Sequence, residues 1–148
     1  MATPDDCIFC AIVAGRASAH RVYEDERVLI FMDLFPVAEG HTLIIPKRHA
    51  ENLLETEVED LQAAIAQSKP LAEAIQREFA PDGIGVYQLN GAAAGQTVFH
   101  YHMHLIPRKQ GDSLGVHGRR QEDADVLANH AARLAKAFES VSGILSQS

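Results

Sequence analysis

The stretch Gln96-Thr97-Val98-Phe99-His100-Tyr101-His102-Met103-His104-Leu105-Ile106-Pro107 constrains the fold more than any other part of the chain, because it alternates. Side chains of a β-strand point to opposite faces with a period of two. A strand over 98–107 therefore sets His100, His102 and His104 on one face. Phe99, Tyr101, Met103 and Leu105 fall on the other, toward the core. Imidazoles in a row crowd groups that titrate near neutrality, and a merely polar face could use Thr, Ser or Lys. Three readings stay open: a solvated face that happens to be rich in histidine, a metal site on His-x-His spacing, and covalent catalysis by a neutral imidazole attacking phosphorus.

The segment before this strand bears on the choice. Asn90-Gly91-Ala92-Ala93-Ala94-Gly95-Gln96 is small enough for a phosphate to approach the backbone, and Asn90, Gln96 and Thr97 add side-chain donors. The loop alone is a weak signal. Gly83-Ile84-Gly85 lacks the third glycine of a dinucleotide fingerprint, and no Walker lysine motif occurs. Joined to the histidine strand, the loop reads as a phosphate cradle beside a nucleophile.

The remaining elements follow from spacing. Residues 5–14 predict a short helix capped by Asp5 or Asp6 and stopped at Gly15. Arg21–Glu24 and Val28–Met32 read as a hairpin around the polar turn Asp25–Arg27. His41–Ile45 is a third strand, entered through Glu39-Gly40 and ended by Pro46. Thr56-Glu57-Val58-Glu59 is a capping box. The steps Val58, Leu61, Ile65, Ser68, Ala72, Ile75 and Phe79 then mark a buried helical face. Pro70 inside that helix predicts a kink near Ala66. Ile84–Leu89 and Val98–Pro107 are further strands. A last helix over 122–139 buries Leu127, Ala131, Leu134 and Phe138. The class is α+β: an antiparallel sheet of about five strands with a long helix and shorter terminal helices.

Composition narrows the function. The 148 residues suit one domain, 1–148, and 47% hydrophobic with 22% charged residues is a globular balance. A formal charge of -7 argues against broad binding to nucleic acid or to anionic membrane, which need a cationic surface. Met1–Asp6 carries no basic run and no apolar stretch approaches membrane-spanning length, so a cytoplasmic setting is expected. The only cysteines are Cys7 and Cys10. The pair is half of a tetrahedral zinc site or two small core residues on a short helix. A thioredoxin-like redox pair lacks its preceding strand and flanking Trp.

His100-Tyr101-His102-Met103-His104-Leu105-Ile106 resembles the His-φ-His-φ-His-φ-φ signature of the histidine triad family, φ being apolar. Phe31-Met32-Asp33-Leu34-Phe35-Pro36 resembles its ribose-binding segment. Gly40-His41-Thr42-Leu43-Ile44-Ile45-Pro46-Lys47-Arg48-His49 resembles the strand that follows, and Gly95-Gln96-Thr97-Val98 the lead-in to the triad. Only the last 30 or so residues show no family motif. The resemblance implies a nucleotidyl hydrolase or transferase working through a histidyl-nucleotide intermediate. Its substrates would be purine nucleoside phosphoramidates, nucleotidyl esters or dinucleoside polyphosphates. His102 matches the nucleophile, with its other ring nitrogen donating to the carbonyl of His100. His104 matches the residue that contacts phosphate and assists protonation of the leaving group. Asp33 matches the carboxylate that accepts from both ribose hydroxyls, as a carboxylate can. Ile8, Phe9, Phe31 and Leu34 match the wall around the base, and Asn90, Gly95, Gln96 and Thr97 the phosphate loop.

The chain looks like the bacterial, zinc-type branch, which implies a structural Zn²⁺ held by Cys7, Cys10, His49 and His100. The lead-in followed by Leu105-Ile106-Pro107-Arg108-Lys109 resembles the dinucleoside polyphosphate branch instead. The resemblance also implies a homodimer sharing one sheet, and a hydrogen bond from His41 to another histidine. His20 and His117 carry no assignable role, and His130 reads as solvated. Arg108-Lys109 and Arg119-Arg120 read as solvated basic turns. A non-catalytic nucleotide- or metal-binding regulatory protein is the alternative.

Overall fold

The structure is a computed structural model that describes residues 5–146, with side chains through Ser142. Met1–Pro4, part of the stretch read above as carrying no basic run, lies outside the described residues. The element order is α1 (Ile8–Val13), β1 (Arg21–Glu24), β2 (Val28–Met32), β3 (Thr42–Pro46), α2 (Val58–Phe79), β4 (Gly83–Tyr87), β5 (Met103–Arg108) and α3 (Ala124–Ser146). The five strands form one antiparallel sheet in the order β1-β2-β3-β5-β4. This is the α+β architecture expected from the sequence.

Both faces of the sheet are covered, which explains why β2 is apolar throughout instead of alternating. Val28, Ile30 and Met32 join Ile44, Met103 and Leu105 in a core against α2 and α3. Leu29 and Phe31 join Leu43 and Ile45 in a second cluster against Phe9 and Ile12 of α1. His104 pairs with Leu43 across the β3–β5 ladder. The functional side chains gather under α1.

Three expectations are corrected by packing. The helix over 5–14 begins at Ile8, and its cap is Cys7, whose Sγ accepts from the Cys10 N–H at 3.2 Å; neither Asp5 nor Asp6 serves. Thr56 does not cap α2: its hydroxyl donates to the Asn52 carbonyl at 2.6 Å, and Glu57 takes the N-cap position without a side-chain bond. The buried face of α2 is Asp60, Ala64, Pro70, Leu71, Ala74 and Ile75, with Leu61, Ala72 and Phe79 of the expected set packed against the core, while Val58 is 61% and Ile65 54% exposed. Buried Asp60 sets this rotation, because Arg48 Nε and Arg27 Nη1 reach its carboxylate at 3.2 and 3.4 Å. A buried charge must keep its partners. The helix runs unbroken through Pro70, and the Ser68 hydroxyl donates to the Ile65 carbonyl within that turn.

The largest correction concerns the histidine strand. Regular pairing starts only at Met103, so the strand expected over 98–107 is β5, Met103–Arg108. Continuing the β3–β5 register would set Tyr101 against Pro46, which has no N–H. Other bonds replace the ladder there. His100 Nε2 donates to the Pro46 carbonyl at 2.7 Å, and the Tyr101 N–H donates to Ala50 O at 2.8 Å. Tyr101, Met103 and Leu105 enter the core as expected, but Phe99 does not and is 44% exposed. The strand expected over 84–89 is likewise trimmed, to Gly83–Tyr87. The hairpin and the buried set Leu127, Ala131, Leu134 and Phe138 of α3 stand as read.

Candidate functional site

The three histidines of the run have three separate environments. His100 joins Cys7, Cys10 and His49, and one donor atom from each lies within 4.8 Å of all the others. Cys7 Sγ and Cys10 Sγ each approach His100 Nδ1 to 3.4 Å, His49 Nδ1 lies 3.3 Å from His100 Nδ1, and Cys10 Sγ lies 3.2 Å from His49 Nδ1. A tetrahedron of sulfur and nitrogen around zinc has edges of about 3.3–3.8 Å, from bond lengths near 2.0–2.3 Å. Because His100 Nε2 donates to Pro46 O, its Nδ1 lone pair faces the two sulfurs. Burial lowers the His100 pKa to about 4, so the ring is neutral as a ligand must be. The donor set fits zinc.

His102 holds the middle position. Its Nδ1 donates to the His100 carbonyl at 2.7 Å, which leaves the lone pair on Nε2. Burial lowers its pKa, the hydrogen bond to His100 opposing that shift only in part. The ring of Phe9 meets it edge-on at 5.1 Å between centroids. His102 lines a cavity of about 340 Å³ together with Ile8, Phe9, Phe31, Asp33, Leu34, Thr97 and His104. These are residues read above as base wall, ribose carboxylate, phosphate-loop donor and reacting pair.

At the far end the tautomers form a chain. The Val37 N–H donates to His41 Nδ1 at 3.1 Å, so the proton of that ring sits on Nε2. His41 Nε2 is 2.9 Å from His104 Nδ1 and 3.3 Å from Asp33 Oδ2. His104 Nδ1 is therefore an acceptor, and His104 carries its proton on Nε2, a buried atom with no hydrogen-bond partner among the described residues. Burial lowers His41 and His104 to about 3, which keeps both rings neutral. The result is a donor held ready beside His102. Asp33 accepts from the Phe35 N–H at 2.8 Å through Oδ1, and burial raises its pKa.

The phosphate-loop residues divide. Gln96 is buried, and its amide is committed to the chain: Nε2 donates to Glu51 O at 2.6 Å and Val98 O at 3.0 Å, while Oε1 accepts from the Gly91 N–H at 2.7 Å. Asn90 Oδ1 accepts from the Leu53 N–H at 2.8 Å, and its Nδ2 donates to Gln88 at 2.9 Å. Both brace the loop in this structure. Thr97 remains exposed at the cavity. Gly91 and Gly95 adopt φ of 92° and 100°, a left-handed conformation that disfavours a side chain.

The sequence reading missed the strap between β5 and α3. Its His117 Nε2 donates to Gly95 O at 2.6 Å, and its ring stands 5.9 Å from that of His104. The signal available was Gly115-Val116-His117-Gly118, a histidine bracketed by glycines. A Cβ on Gly118 would lie 2.2 Å from the Phe35 carbonyl oxygen. Arg108 is buried, not a solvated turn residue, and donates to Ser113 O at 3.0 Å and Gly115 O at 2.7 Å, tying the strap down. His130 is also buried, packed edge-on to Phe79, because α3 turns that face to α2.

A five-stranded sheet that carries a buried histidine run beside a Cys/His cluster and a small cavity defines a recognisable class. The HIT domain matches residues 14–111, and the chain belongs to that family. It is 43% identical over 140 residues to Protein hit of Bacillus subtilis, covering 92% of this chain and 97% of that protein. It is 36% identical over 132 residues to the adenylylsulfatase HINT3 of Arabidopsis thaliana, covering 89% of this chain and 64% of the other. The crystal structure of a zinc-bound histidine triad family protein from Mycobacterium smegmatis is 37% identical, with a TM-score of 0.82 over 94% of this chain and 97% of that one. No helix among the described residues is long and apolar enough to cross a membrane.

Proposed function

We propose that this protein is a nucleotidyl hydrolase or transferase acting at the α-phosphorus of purine nucleoside phosphoramidates, nucleotidyl esters or dinucleoside polyphosphates. The observation that carries this reading is the His102–His100 hydrogen bond of 2.7 Å, which leaves a neutral Nε2 lone pair at a cavity lined by Asp33 and His104. The Nε2 atom forms a bond to phosphorus while the bond to the leaving atom breaks, and that atom departs with the electron pair. The His100 carbonyl then stabilises the positive charge on the phosphorylated ring. The His104 Nε2–H donates to a phosphoryl oxygen or to the departing atom as negative charge develops. Water next attacks phosphorus, the P–N bond to His102 breaks, and a nucleoside monophosphate leaves. Asp33 receives the ribose hydroxyls, and Ile8, Phe9, Phe31 and Leu34 enclose the base.

Zinc held by Cys7, Cys10, His49 and His100 would cross-link α1, the end of β3 and the segment before β5, a structural contribution. The zinc-bound relative and the converging donors support it. A homodimer and a reducing, cytoplasmic setting belong to the same reading, supported by two open sheet edges, β1 and β4, and two free thiols. Sedimentation velocity checks the first.

The test is turnover of a fluorogenic adenosine phosphoramidate by wild type, by His102→Ala and by wild type with chelator, joined to intact-mass analysis after acid quench. Turnover lost in His102→Ala, with a nucleotidyl adduct trapped on wild type, is the expected result. Nucleotide binding without turnover of any member of the substrate set would replace the enzyme with a regulatory binder. Turnover abolished by chelator while the fold persists would favour direct metal catalysis.

A further inference from the structure

We propose that His117 is the cationic residue of the phosphate site: it takes up a proton as a phosphoryl group binds, and its Nδ1–H then donates to a phosphoryl oxygen. The inference rests on the nucleotidyl-transfer reading above and adds the group that would meet the phosphate's charge.

A phosphoryl group arriving at His102 brings negative charge into a cavity that offers little to balance it. Among the described residues the lining holds no lysine or arginine, and it already contains the Asp33 carboxyl. Two of the three side-chain donors expected from the sequence are spent, Asn90 on Gln88 and Gln96 on Glu51 O and Val98 O. Thr97 and the His104 Nε2–H remain. Both are neutral, and a charged donor holds an anion about twice as strongly.

Three imidazoles line the cavity. Burial keeps His102 and His104 from taking up charge. His117 is exposed, so water helps to solvate a charge on its ring. Its Nε2 donates to Gly95 O at 2.6 Å, which ties the strap to the phosphate loop. Nδ1 is therefore the atom that gains the proton, and the Gly95 carbonyl stabilises the charged ring.

Position supports the same role. The His117 ring stands 5.9 Å from that of His104. Burial dominates the titration of Asp33, His41, His102 and His104, and a charge on His117 acts on all four besides. The ring thus lies within electrostatic reach of the ribose carboxyl and of both reacting histidines. The strap that carries it is fixed, with Gly118 flush against the Phe35 carbonyl and the Glu122 N–H donating to Leu34 O at 2.9 Å.

The other charges near His117 divide. Glu39, Asp112 and Lys109 line the cavity on its outer side, two carboxylates against one ammonium, and favour an imidazolium. Arg108, bonded to the strap through Ser113 O and Gly115 O, opposes one, as do Arg119 and Arg120 next in the chain. A bound phosphate tips that balance toward the charged ring.

The test is titration calorimetry with adenosine and with adenosine 5′-methylphosphonate, which carries a single fixed negative charge, in buffers of different ionisation enthalpy. Wild type should take up a fraction of a proton with the phosphonate and none with adenosine. The ratio of the two affinities should grow as pH falls through neutrality. His117→Gln, whose amide can still donate to Gly95 O, should end the uptake and flatten the pH profile. It should lower the ratio by up to about fivefold, the scale of an ion pair open to solvent. A ratio taken within one protein divides out a general loss of fold, and His117→Ala should likewise show no uptake. Uptake that persists in His117→Gln puts the proton on another group and overturns the proposal, as does phosphonate binding to wild type without uptake. If neither ligand binds wild type, the nucleotide reading falls and the proposal with it.

Discussion

The Cys7-Cys10-His49-His100 cluster and the Asp33-His41-His104 cluster flank His102 on opposite sides, and both collect buried histidines within hydrogen-bond range. They solve the same problem differently. In the second, a backbone N–H sets one tautomer, which sets the next, so the rings satisfy each other and leave one donor over. In the first, four lone-pair atoms converge at 3.2–3.4 Å. Such a convergence calls for a cation between them. On the function proposed above the difference divides the tasks: one cluster would hold the backbone, and the other would meet the substrate.

The sharpest way to break this comparison is His102→Ala. It should lower kcat/KM by about 10⁴-fold or more, the scale of losing a nucleophile, while zinc content by elemental analysis stays at the wild-type value. A matching loss of zinc would mean that the two functions are not separate.

Cys10→Ser should do the reverse. Zinc content and melting temperature fall, and kcat/KM of the remaining folded protein drops by about 10–100-fold, as for a support that acts through position. A 10⁴-fold loss in folded protein would put the metal cluster into the chemistry.

Acid acts on both clusters, since His100 also lies well below its free value, but the second holds two such rings. His41 and His104 have folded pKa values of about 3 against 6.5 for the free side chain. As pH falls below about 6.5 the unfolded chain takes up protons that the folded chain refuses, so stability falls from there down toward pH 3. Urea midpoints at pH 7 and pH 5 should show the drop, and His41→Asn should make it smaller. An unchanged pH dependence in that variant would show that the paired rings are not the cause.

The smallest effect is expected from Gly118→Ala, whose Cβ meets the Phe35 carbonyl. The strap must shift locally, and kcat/KM should fall several-fold with the melting temperature nearly unchanged. Wild-type kinetics would detach the strap from the site.

Much of the site was legible because its residues are chemically unusual where they stand. Cys-x-x-Cys, alternate histidines and Asp33 among apolar neighbours are choices that a core or a solvated face does not require. What misled was local propensity. Thr56 carries a capping signal and α2 an apolar stripe that includes Val58 and Ile65, yet one buried carboxylate with two arginines turns those two positions outward while Leu61 still packs on the core. His117 was invisible because its neighbours, Gly115 and Gly118, signal a turn without saying what the turn covers.

The sequence by itself determined that three histidines would emerge on one side of an extended segment, since alternation is a property of the backbone and needs no partner. It also determined the hairpin and the apolar stripe of α3, for the same local reason. Only the tertiary structure decided that the three rings would have three occupations. Two of the three protons are placed by a group far away in the chain: Pro46 O for His100, the end of β3 being close only after folding, and His41 for His104, while His102 uses the carbonyl of nearby His100. A neutral imidazole has one donor and one acceptor, and which nitrogen is which depends on what the fold brings against it.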